Sequence, residues 1–322
     1  QLFQDAGWKT GAVVSSAVLS ADRALDQGFD SWRDEFEGEY PVYDPSLQPL
    51  RAQLAADRRR ADRTTDIALE LIDGFGDAPY FLLVHFFDPH DYYDPPPAHG
   101  DLFPGNPYAG EVHFVDTEIG RLLDRLDDET MVVVVADHGE GLGEHGEAGH
   151  GFLLHQATLR VPLIVKGPGI AAGVVREDPV STIDIPASIA ASAGLEGLGE
   201  GRTLRWTQPD PDPPTFYAET MRTLLSYEWS HLRALRQGPF KLIEGPWDEF
   251  YDVRADPDEL SPLDVDQPEA QWMKIWLREL VAGDDPEQLF AQAQDPDPER
   301  LERLSSLGYA GGVVEPGPAR TS

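Results

Sequence analysis

Residues 131–151 read MVVVVADHGEGLGEHGEAGHG. The first six are apolar, and four consecutive valines suit a pleated strand covered on both faces. The pattern breaks at once after Ala136. Asp137 and His138 leave the strand directly, and six glycines between 139 and 151 let the backbone fold tightly around them. In an open α/β sheet, ligands bind outside the carboxyl ends of the strands. A carboxylate beside an imidazole at such an end offers oxygen and nitrogen donors to a divalent cation. The plain alternative is a glycine-rich surface loop whose charges are solvated.

Working outward, 10–16 (TGAVVSS) and 163–166 (LIVK) read as further strands. The run 80–87 (YFLLVHFF) is long enough for a strand buried on both faces. Residues 1–7 look helical, and about 50–72 read as one long arginine-rich helix. Residues 111–126 carry a helical apolar stripe of Val112, Val115, Ile119, Leu122, Leu123 and Leu126. Strands alternating with helices imply an α/β domain with a mostly parallel central sheet covered by helices. A Pro/Asp-rich linker, 208–214, then leads into short segments separated by tight turns, read as a small antiparallel sheet. A helix over about 267–282 and an acidic, glycine-rich tail follow. The expected division is 1–205 for the α/β core and 206–322 for a C-terminal antiparallel α+β subdomain.

Eight of the nine histidines fall between residues 85 and 155. Two segments at strand ends hold most of them, the loop above and 85–96 (HFFDPHDYYDPP). Pro89 fixes the turn before His90, whose ring could hydrogen-bond an anionic ester's oxygen; the alternative is a histidine capping a turn. His150 sits between Gly149 and Gly151, so little shields it, and a mobile loop tip is its plain reading. His85 reads as a core or supporting histidine, and His99, His113 and His155 carry no functional expectation.

Composition narrows the classes. Fifty-eight acids against 25 bases give a net charge of −33, and only four of the bases are lysines. Halophilic proteins carry this balance under strong screening, which points to a salt-rich cytoplasm or medium. Each contact to a phosphate backbone would work against that field, so neither nucleic acid nor an anionic membrane is expected as a partner. No cysteine is present, which removes disulfides, thiolate catalysis and cysteine-based zinc sites. No apolar run reaches a membrane span's length. The sequence sets no oligomeric state.

Sharper motifs fail. Gly141, Gly143 and Gly146 match G-x-G-x-x-G, but glutamates at 140, 144 and 147 crowd a loop that would have to take pyrophosphate. His145 and His150 are five apart, not the four of H-E-x-x-H, and no G-x-S-x-G elbow occurs.

At this point the residues resemble the sulfatase family of the alkaline-phosphatase-like superfamily. The matching pieces run in order: 2–20 with 25–30, 80–96, 108–126, 132–169, 181–195 and 231–259. The resemblance implies a divalent cation held in part by Asp137 and His138. It is Ca²⁺ in many arylsulfatases, whereas an Asp-His step occurs in relatives that hydrolyse phosphate or phosphonate esters, often with Mn²⁺ or Zn²⁺; Mg²⁺ also fits. His90 matches the family histidine that contacts the ester's oxygens, and His150 the position of a lysine that contacts the anion and leaving group. The family's nucleophile motif, C/S-x-P-x-R matured to formylglycine, or a Ser or Thr in the phosphate branches, does not occur in this sequence. It is expected upstream of Gln1, together with two aspartate ligands. The implied activity is hydrolysis of a small-molecule or carbohydrate sulfate ester, with a phosphate or phosphonate ester or a non-catalytic anion- or metal-binding relic as alternatives. The chain alone is expected to be inactive. The charge balance favours a salt-adapted cytoplasm, and secretion stays open because the chain begins without a methionine.

Overall fold

At Gly11 a Cβ would lie 2.8 Å from the Phe75 ring, so only glycine lets the helix over that strand pack so close. Gly11 belongs to β1 (Lys9–Val13), the middle strand of the first sheet, and Ala12, Val13 and Val14 are wholly buried. The computed structural model describes residues 1–36, 40–209 and 214–283, and they divide into two compact units. Residues 1–127 with 193–196 make the first. Residues 128–192 and the described residues from 197 onward make the second.

In the first unit, α1 (Leu2–Asp5) leads into β1. β1 pairs in parallel with β2 (Ser31–Arg33) on one side and β3 (Tyr80–Val84) on the other, with Val13 opposite both Arg33 and Val84. The helix α3 (Ala61–Phe75) covers the sheet through a cluster of Val13, Ala68 and Leu71, with Ile67, Phe75, Leu82 and Leu122 around it. Truncating a leucine there to alanine costs about 2–5 kcal/mol. The parallel α/β arrangement read from the sequence is present.

Three details differ. β3 is an edge strand and only half-buried, with Leu83 at 40% exposure, so its apolar run does not mean cover on both faces. The arginine-rich stretch is not one helix: α2 (Arg51–Asp57) ends, Arg58 turns extended at φ −140° and ψ 156°, and α3 starts afresh. The break aims three guanidiniums inward. Arg58, Arg59 and Arg60 are each 4–6% exposed. Arg59 donates to the carbonyls of Val14, Arg33 and Glu35 near the ends of the strands, the Arg33 carbonyl also accepting from the Val14 amide. Third, after the short α4 (Pro97–Gly100), α5 (Pro107–Leu123) buries Glu111, Phe114 and Glu118 most fully, while of the expected stripe Val112 is exposed and Val115, Ile119, Leu122 and Leu123 are half-buried. Arg60 accounts for the buried Glu111, since it meets both Asp88 at 3.3 Å and Glu111 at 3.5 Å.

In the second unit, β4 (Val132–Val135) pairs with β7 (Leu163–Lys166) in antiparallel fashion, Val135 opposite Leu163. The loop between them therefore leaves and returns at one end of the pair. It carries the two-residue strands β5 (Gly141–Leu142) and β6 (Ala148–Gly149) and a short helix, α6 (Gln156–Leu159). Val135 and Ile164 are exposed, so this pair too lacks cover on both faces. α7 (Asp184–Ser192) follows.

The expected antiparallel sheet is β8 (Thr215–Thr220), β9 (Leu232–Gln237), β10 (Phe240–Glu244) and β11 (Glu249–Asp252), ordered β11-β10-β9-β8, with α8 (Arg222–Tyr227) after β8. Strand alternation sorts its side chains. Leu235, Leu242 and Phe250 pack with Ala270, Met273 and Leu277 of α9 (Pro268–Leu280), while Ala234, Ile243 and Tyr251 pack with Leu154. The acidic tail lies outside the described residues. Among the described residues no helix is long and apolar enough to cross a membrane.

Candidate functional site

The loop from 136 to 162 is shaped by glycine. A Cβ on Gly139 would lie 2.2 Å from the Ala157 carbonyl oxygen, and the Gly139 amide donates to the Thr158 carbonyl at 2.7 Å. That contact draws both ends of the loop together just past β4, where Asp137 and His138 stand. The His138 Nδ1 lies 2.8 Å from the Gly139 carbonyl. A carbonyl only accepts, so Nδ1 carries the proton and Nε2 presents its lone pair, 3.8 Å from Asp137 Oδ2. A ring whose second nitrogen is fixed by a backbone carbonyl is the usual state of a metal-bound histidine. The donor set therefore fits a divalent cation. Asp137 is exposed, its side chain 78% open to solvent.

His150 joins this pair. Its ring stacks on His138 with centroids 4.0 Å apart, and its Nδ1 is 3.0 Å from Glu140 Oε1. The side chains are 11% and 5% exposed, so His150 is held and covered rather than a bare loop tip between glycines. The Arg222 guanidinium reaches the His150 carbonyl at 3.0 Å and lies over the Phe152 ring. Sequence reasoning missed Glu140 as a partner. The signal was the short hairpin: Gly141 pairs with Gly149, which sets 140 opposite 150.

His90 lies in the first unit. Its Nδ1 is 2.8 Å from the Asp91 carbonyl, and its ring stacks on Phe87 at 4.3 Å. Arg58 Nη1 donates to the same carbonyl at 2.7 Å, its guanidinium 5.0 Å from the Phe87 ring. Arg58 also lines a cavity of about 270 Å³ whose wall carries Arg33, Arg59 and Arg63 together with Glu35 and Glu70. Behind it, burial pushes the carboxyls of Asp88 and Glu111 up, to about 7 and about 8, against the pull of Arg60. His85 accepts from the Ser15 amide, a supporting role as read, and His99 pairs with His113.

The first unit is an α/β unit with a parallel sheet, and in the second a histidine- and carboxylate-bearing loop leaves the end of β4. The family model described as Sulfatase matches residues 1–195, more than half of the chain, and the chain belongs to the sulfatase family.

A choline-sulfatase of Rhizobium meliloti (strain 1021) is 31% identical over 169 residues, 48% of this chain and 32% of that protein. A low-salt glycan biosynthesis sulfotransferase of Haloferax volcanii is 26% identical over 255 residues, 72% of this chain and 56% of that protein. The matches thus span about a third and somewhat over half of these relatives' lengths. A solved protein in complex with its substrate D-glucosamine-2-N,6-O-disulfate shares the fold, with a TM-score of 0.67 at 19% identity over 92% of this chain and 82% of that one.

Proposed function

We propose that this chain is the body of a sulfuric ester hydrolase acting on a small-molecule or carbohydrate sulfate ester. Asp137 and His138 hold a divalent cation and His150 holds an ester oxygen beside it; His90, in the first unit, is a further candidate to hold an ester oxygen. The observation that carries the reading is the grouping of Asp137, His138 and the Glu140-held ring of His150 on one loop of a sulfatase-family chain. The names of the choline-sulfatase and of the disulfated-glucosamine complex support a sulfate ester as substrate.

A bound cation supplies charge stabilisation to an ester oxygen in the transition state. The chain's own groups do the rest. The Gly139 carbonyl fixes the His138 tautomer, and Asp137 adds negative charge beside it. Glu140 accepts the Nδ1 proton of His150, which leaves Nε2 as the nitrogen that faces the ester; when the ring is an imidazolium, its Nε2 N–H would bond an ester oxygen and pass that proton to the leaving group. His90 is oriented in the same way by the Asp91 carbonyl. The attacking group is assigned to residues upstream of Gln1, formylglycine or a Ser or Thr.

The nitrogen donor of His138 suits Mn²⁺ or Zn²⁺ better than Ca²⁺, with Mg²⁺ between, and this favours a phosphate or phosphonate ester as the second reading. The acidic balance supports action in a salt-rich cytoplasm, with secretion as the alternative compartment.

The test is an aryl sulfate and bis-aryl phosphate assay with Ca²⁺, Mn²⁺, Mg²⁺ or Zn²⁺, on this chain and on a version carrying upstream residues. The expected result is sulfate-ester turnover by the longer form only, abolished by Asp137→Ala and lowered about 10²–10⁴-fold by His150→Ala. Preference for the phosphate diester selects the second reading. Sulfate passed to an added alcohol rather than to water gives a transferase. Turnover by the short chain overturns the assignment of the nucleophile, and no turnover by either form leaves an anion-binding relic.

A further inference from the structure

A second group of chelating side chains lies in the same unit, away from Asp137 and His138. His145 and His155 stack face to face, ring centroids 3.6 Å apart and 6° from parallel. One ligand atom from each of His145, His155 and Glu259 falls within 4.8 Å of the others. His155 is 6% exposed and Glu259 1%.

The hydrogen bonds fix which nitrogens offer lone pairs. His155 Nε2 is 3.1 Å from Glu249 Oε2, and a carboxylate oxygen accepts, so Nε2 carries the proton. His155 Nδ1 is then a lone pair, buried with no hydrogen-bond donor. His145 Nε2 is 3.0 Å from the Asp258 carbonyl, which only accepts, so its Nδ1 is a lone pair as well. Both rings are thus fixed from behind by oxygen acceptors, as metal-ligating histidines are. Glu259 Oε1 pairs with buried Lys241 at 2.6 Å and Oε2 accepts from the Gln156 amide, which pins the carboxylate while leaving it lone pairs.

The geometry points to a metal site of the zinc class, a borderline divalent ion held by His145, His155 and Glu259. Two imidazoles and a carboxylate make a tetrahedral set with one position for water, and the nitrogen donors disfavour Ca²⁺ and Mg²⁺. To share one ion the rings must tilt out of their stack. The site would clamp the loop that bears His145 and His155 to the segment after β11. It stands independently of the ester site.

The test uses the full chain with Asp137→Ala and His138→Ala, which removes the other candidate ligand pair, and Co²⁺ as the spectroscopic probe. One equivalent of Co²⁺ is expected to give the visible bands of a nitrogen-liganded tetrahedral ion, and Zn²⁺ to raise the unfolding midpoint. His145 sits at φ 54°, which asparagine tolerates. His145→Asn should therefore keep the fold, weaken Co²⁺ binding at least about tenfold and abolish the Zn²⁺ stabilisation. Long-range nitrogen–proton spectra of the unsubstituted chain need no variant to fold, and Zn²⁺ should shift Nδ1 of two rings. No cobalt bands, or bands and stabilisation indifferent to His145→Asn, overturn the proposal and leave a structural tie of hydrogen bonds.

Discussion

Glu140 Oε1 stands 3.0 Å from Nδ1 of His150, and both side chains are almost out of solvent. A carboxylate accepts only, so it dictates which imidazole nitrogen bears the proton. Glutamine in its place can also donate, and that choice is lost. Glu140→Gln is expected to leave the unfolding midpoint nearly unchanged. It should lower ester turnover about 10–100-fold in the form carrying upstream residues, and move the pH–rate profile. If His150→Ala lowers turnover and Glu140→Gln alters neither rate nor profile, Glu140 does not position the ring.

The buried acids Asp88 and Glu111 make stability pH-dependent. Burial raises both carboxyls from 3.8 and 4.5 to about 7 and about 8. The folded state then holds protons that the unfolded chain releases, so their contribution is full below about pH 4 and is lost as pH rises through 7 to 8. Unfolding midpoints at fixed salt should fall across that interval. Glu111→Gln keeps an oxygen for the Asp94 amide, which donates to Glu111 at 2.9 Å, and should flatten the fall. An unchanged slope in Glu111→Gln would place the titration elsewhere.

Much of the fold was legible because the strands and the C-terminal sheet announce themselves by local pattern: VVVV, LIVK, and the short alternating segments between turns. Asp137 and His138 stand out as candidates for the same reason, as polar residues at a strand's end. What sequence reasoning missed depends on distant partners. Three consecutive arginines read as part of one long helix, yet Asp88, Glu111 and backbone carbonyls near the strand ends draw them inside. Arg60 also draws Glu111 of α5 into the buried face of that helix, beside Phe114. His155 looked bland because Glu249 lies 94 residues away.

Arg59 offers the sharpest check of that inward turn. Its guanidinium serves three backbone carbonyls, and Arg59→Leu takes that donor from the buried Val14 carbonyl, while the Arg33 carbonyl keeps the Val14 amide. The expected loss is about 1–3 kcal/mol by denaturant unfolding. Arg59→Lys should recover little, since an ammonium is a compact point charge without the planar fork of donors. Arg125 pairs with Asp73 at the surface, both more than half exposed, so Arg125→Ala should change stability by less than about 1 kcal/mol. Equal effects at the two positions would remove the structural role given to Arg59.

The last expectation concerns salt. A net charge of −33 spread over 322 residues repels itself, and the Debye length shrinks from about 10 Å at 0.1 M to about 3 Å at 1 M. Screening also weakens attractive surface pairs such as Arg121–Asp66, which works the other way. Such pairs contribute about 0–1 kcal/mol each, and the described ones are few against the summed repulsion. The buried Lys241–Glu259 pair, 2% and 0% exposed, is hardly screened at all. Repulsion therefore dominates the balance, and thermal unfolding should shift steadily upward from dilute buffer to molar KCl. Potassium chloride is the right salt, because sulfate would also strengthen apolar burial and confuse the cause. An equal rise in a variant with a dozen surface acids changed to glutamine would assign the effect to something other than charge. A flat or falling midpoint in the parent chain would remove salt adaptation as the reason for its acidity.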